Sequence, residues 1–210
     1  MKGFGNLLEG YRRFREGRYA TEKALWRELA EGQSPRAVII ACSDSRADPA
    51  IVFDTDPGEI FVIRNVANLV PPFERGGGRH GVSAALEFAV TQLEVPEIVV
   101  MGHERCGGIN AALTRQFHDA PEGEGGFIAH WMDQIDTRAA DIAAQHGTGD
   151  EAARMLEEDA IRQSLANLRS FPFVCARETA GRLALLGCHF SIAEGRLYVL
   201  DEAEGEFRPV

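Results

Sequence analysis

Five short apolar runs, at residues 37–41, 60–63, 98–101, 183–186 and 197–200, recur between stretches of helical periodicity. Each is of strand length and rich in Val, Ile and Leu. Strands that alternate with helical segments predict an α/β fold, a central and mainly parallel β-sheet flanked by helices. The Glu194-Gly195 turn sets the last run close behind the one before it, which predicts an antiparallel edge strand.

Helical patterns cover residues 19–31, 82–93, 109–116, 127–145 and 150–170. Asp150, just ahead of a periodic apolar stretch, is the expected N-cap of the last. The N-terminal helices are amphipathic and precede the first core strand, so they are expected to pack on a partner subunit. The organisation expected is a helical arm over residues 1–35 and one α/β domain over 36–210. The acidic, glycine-rich segment 121–126 reads as the least ordered loop.

With 210 residues and a net charge of −10, the chain can bury a sizeable core but lacks the clustered Lys and Arg that nucleic acid or an anionic membrane requires. No run approaches the roughly 18 apolar residues of a membrane span, and the N-terminal residues hold no continuous apolar segment. A soluble, cytoplasmic protein is expected. In that compartment the four cysteines stay reduced and serve metal or catalysis more often than disulfides. Cys175 and Cys188, inside apolar runs, read as small buried hydrophobes.

Cys42 and the pair His103 and Cys106 supply two thiolates and an imidazole, donors suited to zinc. Three protein ligands leave a fourth position open, the mark of a catalytic rather than a structural ion. Cys42 and His103 each follow an apolar run directly, so both are expected at the carboxyl ends of neighbouring strands, where open α/β sheets bind ligands. Cys106 would open the next helix. Asp44 and Arg46 alternate along an extended segment and can meet, the Arg fork holding the carboxylate bidentately. If Arg46 holds Asp44 off the metal, the fourth position is free for water; if not, Asp44 could close it.

Other motifs fail on spacing. A phosphatase-type cysteine needs Arg six residues on, and position 48 is Asp. The glycine-rich stretch 76–81 matches G-x-G-x-x-G but follows no strand, so it reads as a loop entering a helix. His118, His130, His146 and His189 read as surface or core residues, and His80 as a weak candidate for proton transfer.

The stretches CSDSRADP, PGEIFVIRNVANLVPP, HGVSAALEFAV and GHERCGGI, in that order, resemble the successive signatures of the β-class carbonic anhydrases, plant-like members in particular. The resemblance implies that Cys42, His103 and Cys106 ligate one Zn2+ per subunit and that Asp44 and Arg46 form the catalytic dyad. It implies that Gln33 hydrogen-bonds substrate while Phe61, Val66 and Phe88 line an apolar cleft. It implies a homodimer or higher homo-oligomer with the active site at the subunit interface, catalysing reversible hydration of carbon dioxide to bicarbonate and a proton. Position 88 is Phe where plant-like members often carry Tyr. Ile39 and Phe190 stand where bicarbonate-inhibited bacterial members carry Trp and Tyr, so that noncatalytic pocket is expected to be absent. The alternatives are carbon disulfide or carbonyl sulfide hydrolysis on the same site, and a noncatalytic zinc or redox sensor.

Overall fold

The computed structural model describes residues 3–76, 78 and 80–210, in two compact units, one ending at Ser34 and the other running from Pro35 to Val210. The first unit is three helices, α1 (Phe4–Glu16), α2 (Arg18–Thr21) and α3 (Lys23–Glu31). Its side chains gather around Phe14, Tyr19 and Trp26, whose ring centroids lie 5.3–6.0 Å apart. The single helix expected over 19–31 breaks at Glu22. Thr21 Oγ1 there donates to the carbonyls of Gly17 and Arg18, a local bond that competes with the helical ladder.

The second unit is built on a six-stranded sheet of order β2-β1-β3-β4-β5-β6. Its strands are β1 (Ala37–Cys42), β2 (Ile60–Asn65), β3 (Glu97–His103), β4 (Ala184–Ser191), β5 (Arg196–Asp201) and β6 (Glu206–Pro209). The first four are mutually parallel and the last two antiparallel. The α/β fold expected from the alternation is therefore present. The edge is not β5, however, but β6, a four-residue strand that carries Pro209. An edge position tolerates a residue with no N–H to donate, and so short a segment gives no periodic signal.

The helices are α4 (Pro49–Val52), α5 (Gly81–Glu87), α6 (Gly107–Leu113), α7 (Gly126–Met132), α8 (Asp136–His146), α9 (Asp150–Ser170) and α10 (Pro172–Thr179). After α5 the chain widens into a π-helical turn over Phe88–Gln92, closed by the Leu93 N–H donating to the Phe88 carbonyl. The helix expected over 127–145 divides at a 3-10 turn, Asp133–Ile135. Gln134 Nε2 donates to the Trp131 carbonyl at 2.8 Å, occupying an acceptor that a continuous helix would give to the residue 135 N–H. The N-cap of α9 is Gly149 rather than Asp150; the Asp150 carboxylate accepts from Arg105 instead. The 121–126 segment is a hydrogen-bonded turn, with the N–H groups of Glu124 and Gly126 both donating to the Pro121 carbonyl. Of the stretch 76–81, residues 77 and 79 lie outside the described residues. Its end, His80-Gly81, leads directly into α5.

Helix α9, about 32 Å long at 1.5 Å per residue, lies along β3 and β4. A Cβ at Gly102 would come within 2.8 Å of Ile161 Cδ1, and one at Gly187 within 2.8 Å of Ile161 Cγ2. Only glycine at both positions lets the helix seat this closely. The main core forms here, with Val38, Ile40, Ile98, Val100, Ile161 and Leu165 all buried. Cys188 is buried as expected, but Cys175, on α10, is exposed, because α10 turns that position to solvent. Among the described residues no helix is long and apolar enough to cross a membrane.

Candidate metal centre and active site

The chain leaves β1 for β2 on one side, while β3 pairs with β1 on the other. The carboxyl ends of β1 and β3 thus flank the point where strand order reverses, where α/β sheets leave a crevice. Cys42 is the last residue of β1, His103 is the last of β3, and Cys106 is the N-cap residue of α6. Their donor atoms all lie within 4.8 Å of one another, and all three side chains are buried.

The donor set tests well against a zinc ion. His103 Nδ1 stands 3.0 Å from the Glu104 carbonyl, which can only accept, so Nδ1 carries the proton and Nε2 presents a lone pair. That Nε2 is buried and has no hydrogen-bond partner among the described residues. The Cys42 and Cys106 sulfurs are 3.8 Å apart; two thiolates on one tetrahedral ion at about 2.3 Å stand about 3.8 Å from each other. Without a cation the two sulfurs share one proton between them. Cys42 is drawn down to about 4, first by its hydrogen bond with Cys106, while that same bond and burial push the Cys106 thiol up. A dication entering here would displace protons.

Backbone N–H groups support both sulfurs, those of Asp44 and Ala67 at Cys42 and those of Gly108 and Ile109 at Cys106. Ala67 reaches its position in a conformation that non-glycine residues seldom adopt, with φ 63° at Ala67 and 50° at Asn68. The strain is held in place by burial and by Trp131 Nε1, which donates to the Val66 carbonyl at 2.8 Å.

Asp44 and Arg46 meet as expected. Arg46 Nε donates to Asp44 Oδ1 at 3.0 Å and Nη2 to Oδ2 at 2.7 Å; the Arg46 backbone N–H adds a third bond to Oδ1 at 2.9 Å. These bonds hold the Asp44 carboxyl well below the usual carboxylate range. Asp44 Oδ2 is 3.9 Å from His103 Nε2, at the margin of the donor cluster. Arg46 Nη2 also donates to the Arg105 carbonyl at 3.0 Å, so the arginine ties the β1 loop to the β3 loop.

The apolar candidates divide. Val66 lies beside α6, within 2.7 Å of where a Cβ at Gly108 would stand. Phe61 and Phe88 pair with each other, their centroids 6.1 Å apart. Phe61 sits opposite Val38, four residues before Cys42 on β1, or about 13 Å down the sheet. A single chain therefore does not bring this pair to the donor cluster. Gln33 belongs to the other unit, in the exposed segment after α3. His118 and His130 pair with Asp119 and Asp133 at the surface.

Two functional side chains escaped notice in the sequence. Arg64, on β2, donates to the Cys42 carbonyl at 2.9 Å, the Asp44 carbonyl at 2.6 Å and Asp48 Oδ2 at 2.6 Å, clamping the loop that carries the dyad. Glu157, on α9, accepts the Cys106 N–H at 3.0 Å. The available signal for Glu157 was an acid at a position where the helical repeat calls for an apolar residue; for Arg64 it was only a cation directly after the apolar run 60–63.

A family model for carbonic anhydrases matches residues 37–197, well over half of the chain. A carbonic anhydrase of Pseudomonas aeruginosa is 38% identical over 205 residues, covering 96% of this chain and 90% of that protein. The mitochondrial β carbonic anhydrase 6 of Arabidopsis thaliana is 36% identical over 186 residues, 87% of this chain; the chain spans 62% of that relative's length. Among solved structures, the β-carbonic anhydrase CcaA superposes with a TM-score of 0.91 at 29% identity, over 100% of this chain and 93% of that one. A tetrameric β-carbonic anhydrase of Sordaria macrospora does so with a TM-score of 0.80 at 26% identity, over 96% and 98%. With its donor cluster at the sheet's switch point and the full length of its α/β unit matched in this way, the chain belongs to the β-class carbonic anhydrases.

Proposed function

We propose that this protein catalyses the reversible hydration of carbon dioxide, with zinc held by Cys42, His103 and Cys106. The observation that carries the reading is the buried, unpartnered His103 Nε2, facing two thiols beside a carboxylate already fixed by an arginine. When bound, zinc supplies the Lewis acidity that makes a nucleophile of water near neutral pH. Asp44 Oδ2, at the margin of the donor cluster, would accept a hydrogen bond from the attacking water and so orient it. Arg46 keeps Asp44 ionised and fixed at the margin of the donor cluster, a state supported by its three hydrogen bonds. A sensor would need neither residue.

Carbon dioxide carries no charge and little polarity, so an apolar wall admits it without competing with water. Val66 forms part of that wall. Gln33, Phe61 and Phe88 would complete the cleft from a partner subunit, Gln33 donating its amide to a substrate oxygen. The separation of Phe61 and Phe88 from the donors within one chain favours this arrangement, and so does the tetrameric state given for the Sordaria protein. A homodimer is the smallest assembly that meets the requirement, and sedimentation at equilibrium would test it. A cytoplasmic location suits two facing thiols that must stay reduced; cell fractionation would test that.

The direct test is stopped-flow carbon dioxide hydration by protein of known zinc content, from about pH 6.5 to 9, a span around the pKa of about 7 that zinc gives its water. Fast hydration across the range is expected. Absence of hydration at full zinc occupancy would overturn the proposal, and turnover of carbonyl sulfide or carbon disulfide in its place would move the substrate to those analogues.

A further inference from the structure

Helix α9 turns a ridge toward the sheet in which Glu157 is followed at helical spacing by Ile161, Leu165 and Leu168. Ile161 and Leu165 pack on Gly187 of β4. One turn back on the helix is Glu157, and two residues on along the same strand face is His189. Both are sealed from solvent, Glu157 at 3% exposure and His189 at 0%. A carboxylate at that depth persists only where donors replace its water. Glu157 has two. The Cys106 N–H donates to Oε1 at 3.0 Å, and His189 Nε2 lies 2.8 Å from Oε2. An ionised carboxylate only accepts, so His189 donates from Nε2.

Packing alone does not ask for this pair, since an apolar residue at 157 would continue the ridge. The hydrogen bonds of the acid lead to one place, the peptide of Cys106. Cys106 caps α6 in an extended conformation (φ −66°, ψ 123°) with no side-chain cap of its own, because its sulfur is turned to Cys42. The direction in which that sulfur leaves the backbone depends on how its peptide is held. We infer that Glu157 and His189 are a positioning pair for the metal site, His189 fixing Glu157 and Glu157 fixing the peptide that aims the Cys106 thiolate. The inference rests on the reading of Cys106 as a zinc ligand.

The test compares wild-type protein with Glu157→Ala, His189→Ala, the double variant and Leu168→Ala. Zinc affinity is read by competition with a chromophoric chelator, and ligand geometry by the thiolate-to-metal and d–d bands of the Co2+-substituted protein. Glu157→Ala should weaken zinc binding by about 10- to 100-fold and shift the cobalt bands, the scale seen for groups that orient metal ligands. The double variant should be no weaker than Glu157→Ala, since His189 acts through Glu157. Leu168→Ala, three turns along the same helix, should lower the melting temperature but leave affinity and bands unchanged. Wild-type affinity and bands in Glu157→Ala would overturn the inference, as would a Leu168→Ala protein that moves both as far. If Glu157→Ala does not fold, His189→Ala carries the test, with unchanged affinity the refuting result. Failure of the wild type itself to bind zinc would instead remove the ligand assignment beneath.

Discussion

Gly108 is where the first turn of α6 meets the strained loop at Val66 and Ala67, and replacing it tests whether that contact sets the site. A Cβ there would stand 2.7 Å from Val66 Cγ1, 3.2 Å from Ala67 Cβ and 3.5 Å from Met132 Sδ. The last is ordinary contact. Val66, however, is stiff at χ1 and its carbonyl is pinned by Trp131, while Ala67 is fully buried. Overpacking of this kind costs about 1–3 kcal/mol. Greater helix propensity and a less flexible unfolded chain offset about 0.5–1 kcal/mol. Gly108→Ala should therefore destabilise by about 1 kcal/mol at the centre of these ranges and by about 2.5 kcal/mol at most, or up to roughly 10 °C for a chain of this size. Val66→Ala deletes the atom at 2.7 Å, so in that background the same change should become neutral or slightly stabilising, a coupling of about 1–2 kcal/mol. Chemical denaturation of the zinc-loaded single and double variants at one protein concentration measures it. An equal cost in both backgrounds would refute the reasoning, because the clash would then not be with Val66.

Arg46→Ala should lower turnover by about 10- to 100-fold while zinc content stays complete, since the arginine touches Asp44 and not the donors; metal analysis alongside stopped-flow kinetics separates the two, and wild-type turnover would contradict it. Glu104 accepts the Ala193 N–H at 2.8 Å and the Ser191 hydroxyl at 3.1 Å, and these bonds lower its pKa, the Ala193 N–H most. A depressed folded pKa stabilises above the unfolded value of about 4.3 and loses that contribution as pH falls through the folded one. Glu104→Gln should thus be less stable than wild type at neutral pH, with the gap closing below about pH 4 in denaturant melts. Of the four cysteines in the zinc-loaded protein only Cys175 should react with iodoacetamide at pH 8, because burial pushes Cys188 up to about 12 and the other two are committed to metal; peptide mass mapping would show a second labelled site if this is wrong.

The parts of the fold legible in the sequence were those set by local repetition. Apolar runs located β1 to β5 within a few residues, and because Cys42 and His103 close two of those runs, the donor cluster was legible as well. Cys106 followed from its spacing to His103. What escaped was decided by partners distant in the chain. Nothing near position 64 announces that its guanidinium will reach the carbonyls of residues 42 and 44 across a parallel pairing. His189 reads as an isolated histidine until α9 brings Glu157 against it. The break between α7 and α8 is accompanied by a glutamine amide bonded to the Trp131 carbonyl, a contact that no periodicity signals. Phe61 and Phe88 were assigned to a cleft through the family's motifs, yet the register of Phe61 on β2, with Phe88 paired against it, sets both away from the donors of their own chain, a fact of strand pairing rather than of composition.

The site must also solve an electrostatic problem that its ligands create. Two thiolates neutralise one Zn2+, and the Asp44 carboxylate beside them leaves the assembly anionic before any substrate arrives. Each negative group nevertheless has fixed donors apart from the metal. Backbone N–H groups of Asp44 and Ala67 favour the Cys42 thiolate and those of Gly108 and Ile109 the Cys106 thiolate, and Asp44 receives the Arg46 fork. Glu157, close behind Cys106, receives the Cys106 N–H together with His189, and Arg64 lays its charge along the loop from Cys42 to Asp48. Such donors need no reorganisation when charge moves during a reaction, which is the condition under which polar groups in a buried site lower a barrier. The left-handed residue at 67 lies in the same account, its backbone N–H being among the groups that favour the Cys42 thiolate. The glycines at 102 and 187 let α9 approach closely enough to supply another, by seating the ridge that carries Glu157.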